Sequence, residues 1–370
     1  MLNDIKFFLP TKVIFGKESI INNLSEVSKF GKTALVITGR RFARSTGLLD
    51  SVCNALKDIK MNFHLFEEVT PEPSIDDCAK AAHIGKICGA DLIIAIGGGS
   101  AMDVAKAAAV LIRNEGKLQD YFGEEKFQNE PVPVIALPTT CGSGSEVTKY
   151  AVIIDNDANT KKTVSSEKII PKMAILDPLV LNTLDGSLIA GTGMDALCHA
   201  IEGFLSKKAN HLTRIFSRES TRLIGENIVK ASDRSLEHAE KVFLGSLYAG
   251  FVINHTGTIF IHGMAYGLTI RYKIHHGKAN ALCLPYSLQF LKTHTYKEEV
   301  EEIEKILSID SIFTMYKQMR LPLTLREVNV KEKDIPILAE MAVKGCERAF
   351  KNMKTTFSKN DFVEIFSMML

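Results

Sequence analysis

Four side chains able to bind a divalent metal stand out by type and spacing in the second half of the chain. Asp195 and His199 lie four residues apart in GMDALCHAIEGF, a segment of helical composition, and so share one helix face. Alone, this pair is more typical of a helix-stabilising contact. His262 and His276 then follow within IHGMAYGLTIRYKIHHGK. One carboxylate and three imidazoles form a ligand set suited to Fe(II), Zn(II), Co(II) or Ni(II).

A glycine-rich turn in the first half of the chain predicts a phosphate-binding site. Gly97, Gly98, Gly99 and Ser100 join the buried strand DLIIAI to the strong helix former AMDVAKAAAVLI. Glycine lets the backbone approach an anion closely, and the first N–H groups of the helix point at it. The pattern is neither GxGxxG nor a Walker A motif, so alone it could equally be a tight turn without a ligand.

A second loop strengthens the prediction of a nucleotide site. Thr139, Thr140 and Ser143 lie in LPTTCGSGSEVT, again directly after an apolar strand. Small and hydroxyl-bearing residues at a strand end suit a ligand crevice at the carboxyl edge of an α/β sheet. One such loop could be structural, but two in one domain favour nucleotide binding.

The elements that must position these residues change character along the chain. Short apolar strands alternate with helical stretches up to MAILDP, which predicts a parallel sheet covered by helices. From about residue 187 onwards the pattern is almost entirely helical. We therefore predict an α/β dinucleotide-binding domain at 1–182 and an all-helical metal-binding and substrate domain at 183–370, with the boundary near DPLVLNTLDG.

Composition excludes several classes of function. A net charge of +2 gives no reason to expect nucleic acid as a partner, and no apolar run of the length needed to span a membrane occurs. The seven cysteines are scattered without a CxxC pair, which predicts reduced thiols and a cytoplasmic location.

The sequence resembles the iron-containing (group III) alcohol dehydrogenase family across roughly residues 7–290. The resemblance is carried by FFLPTKVIFGKES, IGGGSAMDVAKAAA, PTTCGSGSEVTKYAVI, KMAILDP, GMDALCHAIEGFLS and FIHGMAYGLTIRYKIHHGKANALCLP, in that order. It implies the dehydroquinate synthase-like architecture, with an α/β dinucleotide-binding domain followed by an all-helical domain. It also implies metal ligation by Asp195, His199, His262 and His276, with no ligand role for His275.

The same resemblance implies where a nicotinamide dinucleotide would bind. The turn from Gly97 to Ser100 would lie against the pyrophosphate. Thr139, Thr140 and Ser143 would follow the adenine and nicotinamide side, and Lys161 would lie near a ribose. An edge strand in TKVIFG would pair two subunits, so we expect at least a homodimer.

Two positions depart from the pattern common in this family. Many relatives that prefer NAD carry Asp after the first strand, where this chain has Gly39 followed by Arg40 and Arg41. Loss of that carboxylate removes repulsion against a 2′-phosphate, and arginine pairs well with phosphate, so we expect a preference for NADP(H). Tyr266 stands where many relatives have a proton-relaying histidine, and it could relay a proton or simply pack.

These observations predict a metal-dependent alcohol dehydrogenase or aldehyde reductase, with Fe(II) as the expected ion and Zn(II) as another candidate. Two alternatives stay open at this point. One is a dehydroquinate synthase-like lyase on the same fold, and the other is a non-catalytic protein that binds nucleotide and metal.

Overall fold

The computed structural model describes residues 5–156 and 160–370. Within these residues the chain divides into two compact units. The α/β unit contains residues 9–140 and 145–183, and the helical unit contains residues 184–370, the short segment 141–144 and the segment ending at Phe8. An α/β unit and an all-helical unit are the two parts that the sequence predicts.

The α/β unit is built on a parallel sheet of six strands in the order β1-β9-β6-β4-β2-β3, beside a three-stranded sheet in the order β5-β8-β7. The strands are β1 (Lys12–Phe15), β2 (Thr33–Gly39), β3 (Asn62–Val69), β4 (Leu92–Gly97), β5 (Gly123–Glu124), β6 (Val134–Pro138), β7 (Tyr150–Asp155), β8 (Thr160–Ser165) and β9 (Met173–Leu176). β7 and β8 pair in antiparallel fashion, whereas the two-residue strand β5 carries too little sequence signal to predict.

Alternating side chains of the larger sheet form two cores. The helices of this unit are α1 (Ser19–Asn23), α2 (Phe42–Ser45), α3 (Leu48–Asp58), α4 (Ile75–Ile87) and α5 (Gly99–Arg113). Val36 and Ile94 belong to a core that also contains Leu49 and Val52 of α3. Leu35, the neighbour of Val36, points to the opposite face, where it lies beside α4. The strands are therefore buried on both faces, which explains their continuous apolar runs.

The described residues of the helical unit form nine α-helices and no strand. They are α6 (Gly186–Leu205), α7 (His211–Ser232), α8 (Leu236–Thr256), α9 (Phe260–Tyr272), α10 (His276–Lys292), α11 (Lys297–Glu304), α12 (Ile309–Met319), α13 (Ile335–Gly345) and α14 (Lys359–Met368). None of the helices in the described parts of the chain has the length and hydropathy that crossing a membrane requires.

The division between the units falls after residue 183, but two short segments depart from a contiguous boundary. Phe7 groups with the helices because its ring stacks on Phe216, with centroids 5.7 Å apart, and on His255, at 4.2 Å. The backbone N–H of Phe8 also donates to Nε2 of His255 at 2.9 Å. These contacts join residues more than 200 positions apart, so sequence periodicity could not reveal them.

Candidate functional site

Helix α6 carries the first two candidate ligands. It begins at Asp185, whose side chain accepts a hydrogen bond from the N–H of Ser187 and so caps the helix. One turn separates Asp195 from His199, and both are buried, with 7% of each residue exposed. The helix therefore presents a carboxylate and an imidazole on one face, as the spacing predicts.

The other two candidate ligands lie near the starts of α9 and α10. His262 lies in the first turn of α9, and His276 is the first residue of α10. Gly277 allows α10 to approach α6 closely, because a Cβ atom there would lie only 2.1 Å from the backbone oxygen of Gly191. That close approach brings the start of α10 to Asp195.

Three of the four predicted ligands form a compact group. Asp195, His262 and His276 each offer a ligand atom, and these atoms all lie within 4.8 Å of one another. His199 lies outside that group by this distance, but its ring stacks on His262 with centroids 4.5 Å apart. The structure thus brings all four residues into one cluster, with His199 at its side and His276 half-buried.

Hydrogen bonds fix which ring nitrogen of His199 faces the cluster. Its Nδ1 lies 3.2 Å from the backbone oxygen of Gly142, which can only accept, so Nδ1 carries the proton. Nε2 is then left with its lone pair. Gly142 belongs to the segment 141–144, which groups with the helical unit. Through its backbone oxygen, this segment orients the ring of His199 on α6.

Two polar residues that the sequence analysis did not single out complete the cluster. Glu202 is fully buried on α6, and its carboxylate hydrogen-bonds Nδ1 of His262 and, at 2.7 Å, the N–H of Ile259. Asn280 of α10 donates from Nδ2 to Oδ1 of Asp195 at 2.6 Å. Sequence spacing could have indicated Glu202, because it follows His199 by three residues and so lies on the same face of α6.

Burial and charge shift the pKa values in this cluster in opposite directions. Burial opposes the ionised form of Asp195, but the nearby His199, His262 and His276 hold the pKa of its carboxyl well below its usual range. Burial lowers the pKa of His199. Burial also disfavours the charged ring of His262, yet the carboxylates of Glu202 and Asp195 outweigh it and raise that pKa to about 10. The lowered pKa of Asp195 favours its ionised carboxylate, which is the form that a metal ligand must have.

A divalent metal fits these residues. Nε2 of His262 is buried without a hydrogen bond, although Oδ1 of Asp195 lies 3.4 Å from it. Two ligands that share one ion at about 2.1 Å are themselves separated by roughly 3–3.5 Å, which matches this spacing. The chemistry of the donors, one carboxylate and imidazole nitrogens, suits the ions that the sequence analysis proposes.

The remaining residues of the histidine-rich stretch lie around this cluster. The ring of Tyr266 stacks on His276, with centroids 5.7 Å apart and planes 27° apart. His275 precedes α10 as its N-cap and is exposed, outside the group of three ligand atoms.

In the α/β unit, the glycine turn and the threonine loop lie against each other. Gly97 ends β4, and its backbone oxygen accepts the N–H of Thr139 at 2.9 Å. A Cβ atom on Gly98 would lie 2.8 Å from Oγ1 of Thr140, so only glycine leaves room there. Gly99 and Ser100 follow as the first turn of α5. This arrangement places the start of α5 beside the hydroxyl of Thr140, and a helix start with a neighbouring hydroxyl suits an anion.

The other predicted cofactor residues are more dispersed. Gly39 ends β2, which pairs in parallel with β4, so Gly39 and Gly97 lie at the same edge of the sheet. Arg40 follows and is exposed. Lys161 on β8 forms an ion pair with Glu72 at 2.5 Å, and only 7% of its side chain is exposed. The structure assigns Ser143, by contrast, to the helical unit.

A buried polar cluster surrounds Lys106, on the helix that follows the glycine turn. Lys106 of α5 is fully buried, and its Nζ donates to Oγ of Ser145 and to the backbone oxygens of Thr148 and Tyr150, at 2.8–2.9 Å. Burial lowers the pKa of Lys106 to about 8 and raises that of Asp103 to about 6. The chain beyond the threonine loop is thereby anchored to α5.

Comparison with known families gives matches to both units. Residues 10–178 match the model described as iron-containing alcohol dehydrogenase, and residues 189–370 match the C-terminal model of the Fe-containing alcohol dehydrogenase family. The NAD-dependent methanol dehydrogenase of Bacillus methanolicus is 31% identical over 353 residues, which cover 91% of this chain and 92% of that protein. The NADPH-dependent butanol dehydrogenase of Clostridium saccharobutylicum is 29% identical, with 92% of each chain covered.

Comparison of structures agrees with these matches. The crystal structure of an iron-containing alcohol dehydrogenase from Thermotoga maritima superposes with a TM-score of 0.91 and 32% identity, and the match covers 99% of both chains. The predicted fold class, an α/β dinucleotide-binding domain followed by an all-helical domain, is confirmed by this likeness. The chain therefore belongs to the iron-containing alcohol dehydrogenase family, and the resemblance carried by its motifs is confirmed.

Proposed function

We propose that this chain transfers hydride reversibly between a nicotinamide dinucleotide and a small alcohol or aldehyde, with a divalent metal at the histidine cluster. The observation that carries the proposal is the group of Asp195 and His262, which are buried, and His276, which is half-buried, whose ligand atoms lie within 4.8 Å of one another. Membership of an oxidoreductase family favours this reaction over the lyase and over the non-catalytic binding protein.

Asp195, His199, His262 and His276 are the residues proposed to hold the metal, with Fe(II) favoured by the family and Zn(II) a second candidate. A divalent ion bound there supplies a Lewis acid for the substrate oxygen. The chain's own contribution is to bury Asp195, His199 and His262 and to orient the two imidazole rings, that of His199 through Gly142 and that of His262 through Glu202. A buried site also excludes water that would compete with the substrate.

The dinucleotide is proposed to bind along the carboxyl edge of the large sheet. Gly97, Gly98, Gly99 and Ser100 would hold the pyrophosphate, with Thr139, Thr140, Ser143 and Lys161 along the rest of the cofactor. The bound nicotinamide supplies or accepts the hydride. The approach of Thr140 to Gly98 supports a single site, because it makes the glycine turn and the threonine loop direct neighbours.

NADP(H) is proposed as the preferred cofactor. Gly39 ends β2 at the sheet edge that it shares with Gly97, and it carries no carboxylate to repel a 2′-phosphate. The exposed Arg40 beside it could pair with that phosphate. The relatives do not decide the matter, because one is named NAD-dependent and another NADPH-dependent.

Tyr266 is proposed to help move the alcohol proton. Its ring stacks on the proposed ligand His276, which places the side chain beside the metal cluster. A phenol hydroxyl can pass a proton by accepting one hydrogen bond and donating another.

A homodimer in the cytoplasm is the proposed state of the protein. β1 lies at the edge of the six-stranded sheet, where a strand of a second copy could pair with it. All seven cysteines are among the described residues, and none forms a disulfide, as a reducing compartment would require. Light scattering on purified protein tests the dimer, and a monomer would contradict it.

The decisive experiment for the reaction is reconstitution followed by an aldehyde panel. The protein is purified anaerobically, stripped of metal and reloaded with Fe(II) or Zn(II), and oxidation of NADPH and of NADH is followed with small aldehydes. We expect turnover only after reloading, with the higher kcat/KM for NADPH. Equal turnover by the stripped protein would contradict the metal role, and a preference for NADH would contradict the cofactor assignment.

A further inference from the structure

Glu202 is a buried carboxylate whose two oxygens have separate partners. Neither the residue nor its side chain is exposed. Oε1 lies in hydrogen-bond contact with Nδ1 of His262, and Oε2 accepts the N–H of Ile259 at 2.7 Å. Ile259 is the N-cap of α9, so Glu202 ties α6 to the start of the helix that carries His262. Burying a carboxylate is energetically costly, so the position of Glu202 calls for an explanation.

The contact with Glu202 decides the protonation pattern of the His262 ring. A carboxylate can only accept, so Nδ1 of His262 must carry the proton that it donates. In the neutral ring Nε2 then keeps its lone pair, and Nε2 is the atom that faces Asp195 at 3.4 Å. When the ring is neutral, as metal binding requires, this contact therefore holds it in the one tautomer that can bind a metal on the Asp195 side.

We propose that Glu202 is a positioning residue for the metal centre, which acts by holding His262 in its metal-binding tautomer and orientation. The proposal rests on the ligand assignment made above for Asp195 and His262. Glu202 does not contact the metal itself, and its charge also makes His262 a stronger donor to the ion.

Glutamine at this position provides a sharp test because it preserves shape but reverses one hydrogen bond. Its amide oxygen must face the N–H of Ile259, since an NH₂ group there would oppose another donor. The NH₂ group then faces His262 and donates to Nδ1. The ring must accept at Nδ1 and carry its proton on Nε2, where it points at Oδ1 of Asp195 and blocks the metal position.

The experiment measures the Co(II) affinity of metal-free protein by titration, following the visible absorbance of the bound ion. E202Q is compared with wild type, with His262→Ala and with E146Q. The last variant removes another buried carboxylate, which belongs to the α/β unit. We expect E202Q to bind Co(II) roughly 10- to 100-fold more weakly than wild type, and E146Q to bind like wild type.

Thermal unfolding without metal separates positioning from a purely structural role. Metal-free E202Q should still show a cooperative unfolding transition, which would attribute its weak Co(II) binding to the changed hydrogen bond and not to loss of the fold. Co(II) affinity of E202Q within about twofold of wild type would overturn the proposal. If E202Q does not fold, E202D decides, since it withdraws the carboxylate by one methylene, and wild-type Co(II) affinity in folded E202D would overturn the proposal.

A different pattern would indicate failure of the ligand assignment. If His262→Ala bound Co(II) as tightly as wild type, the metal would not be held by His262, and the proposed function would need another site. That result is distinct from weak binding by His262→Ala combined with normal binding by E202Q, which contradicts only the role of Glu202.

Discussion

Replacing Glu146 by glutamine should stabilise the protein at alkaline pH and not at acidic pH. Glu146 is 2% exposed, and its Oε1 has no hydrogen-bond partner among the described residues. Burial raises the pKa of its carboxyl from 4.5 to about 7, despite a backbone hydrogen bond and the charge of Lys106. The folded protein therefore prefers the neutral acid, whereas the unfolded chain ionises near its usual pKa.

The sign and the size of the effect on the free energy of unfolding follow from that difference in pKa. Between pH 4.5 and about pH 7 the folded state binds more protons than the unfolded state, so stability falls as the pH rises through this window. Above pH 7 the full loss corresponds to about 3 kcal/mol, since each pKa unit is worth about 1.4 kcal/mol. Glutamine removes this loss but leaves Lys106 with one counter-charge fewer, so we expect a net gain of about 1–2 kcal/mol at pH 8.

Differential scanning fluorimetry at pH 5 and pH 8 provides the assay. For a unit of this size the gain corresponds to roughly 2–8 °C in the melting temperature at pH 8, with little change at pH 5. Glu68→Gln, which changes an exposed carboxylate, is the control and should shift neither value. A stabilisation of equal size at both pH values, or destabilisation at pH 8, would refute the reasoning.

Three further substitutions address the site directly. Gly39→Asp should lower the NADPH-to-NADH ratio of kcat/KM at least roughly tenfold, because the new carboxylate repels a 2′-phosphate. The side chain has room, since a Cβ atom at this position meets only the backbone oxygen of Val69, at 3.6 Å. An unchanged ratio would contradict this prediction. Asn280→Ala leaves Oδ1 of Asp195 without its donor, and equilibrium dialysis should show roughly tenfold weaker metal binding, with unchanged affinity the contrary result. Tyr266→Phe keeps the stacked ring and so should bind metal normally, but the pH profile of kcat should lose its alkaline limb; an identical profile would mean that the ring only packs.

The local sequence pattern was enough to predict the buried strands and the helix face that carries Asp195 and His199. β2 and β4 are buried on both faces, so their unbroken apolar runs predict strands in a parallel sheet. Asp195 and His199 share a face because four residues make about one turn of helix. Their partners His262 and His276 could be proposed from residue type, but their approach depends on the packing of α10 against α6 at Gly277.

Other features depend on contacts that no local pattern encodes. Glu202 lies on the ligand-bearing face of α6, yet its role depends on His262, sixty residues later in the chain. Grouping of Phe7 with the helices depends equally on a ring more than two hundred residues away. Spacing can identify candidates for such roles, but only the packed structure identifies the partner.

The hydrogen bond from His199 to Gly142 has a thermodynamic consequence. Gly142 precedes Ser143, a proposed cofactor residue, in the same four-residue segment. If Ser143 contacts the dinucleotide as proposed, a restraint on this segment would also act on His199, the proposed metal ligand, so we expect the two binding free energies to be coupled. Linkage requires the effect to be reciprocal: the factor by which metal tightens cofactor binding equals the factor by which cofactor tightens metal binding. With both assignments in place, the metal content of the protein would change its measured affinity for the dinucleotide, through the hydrogen bond between His199 and Gly142.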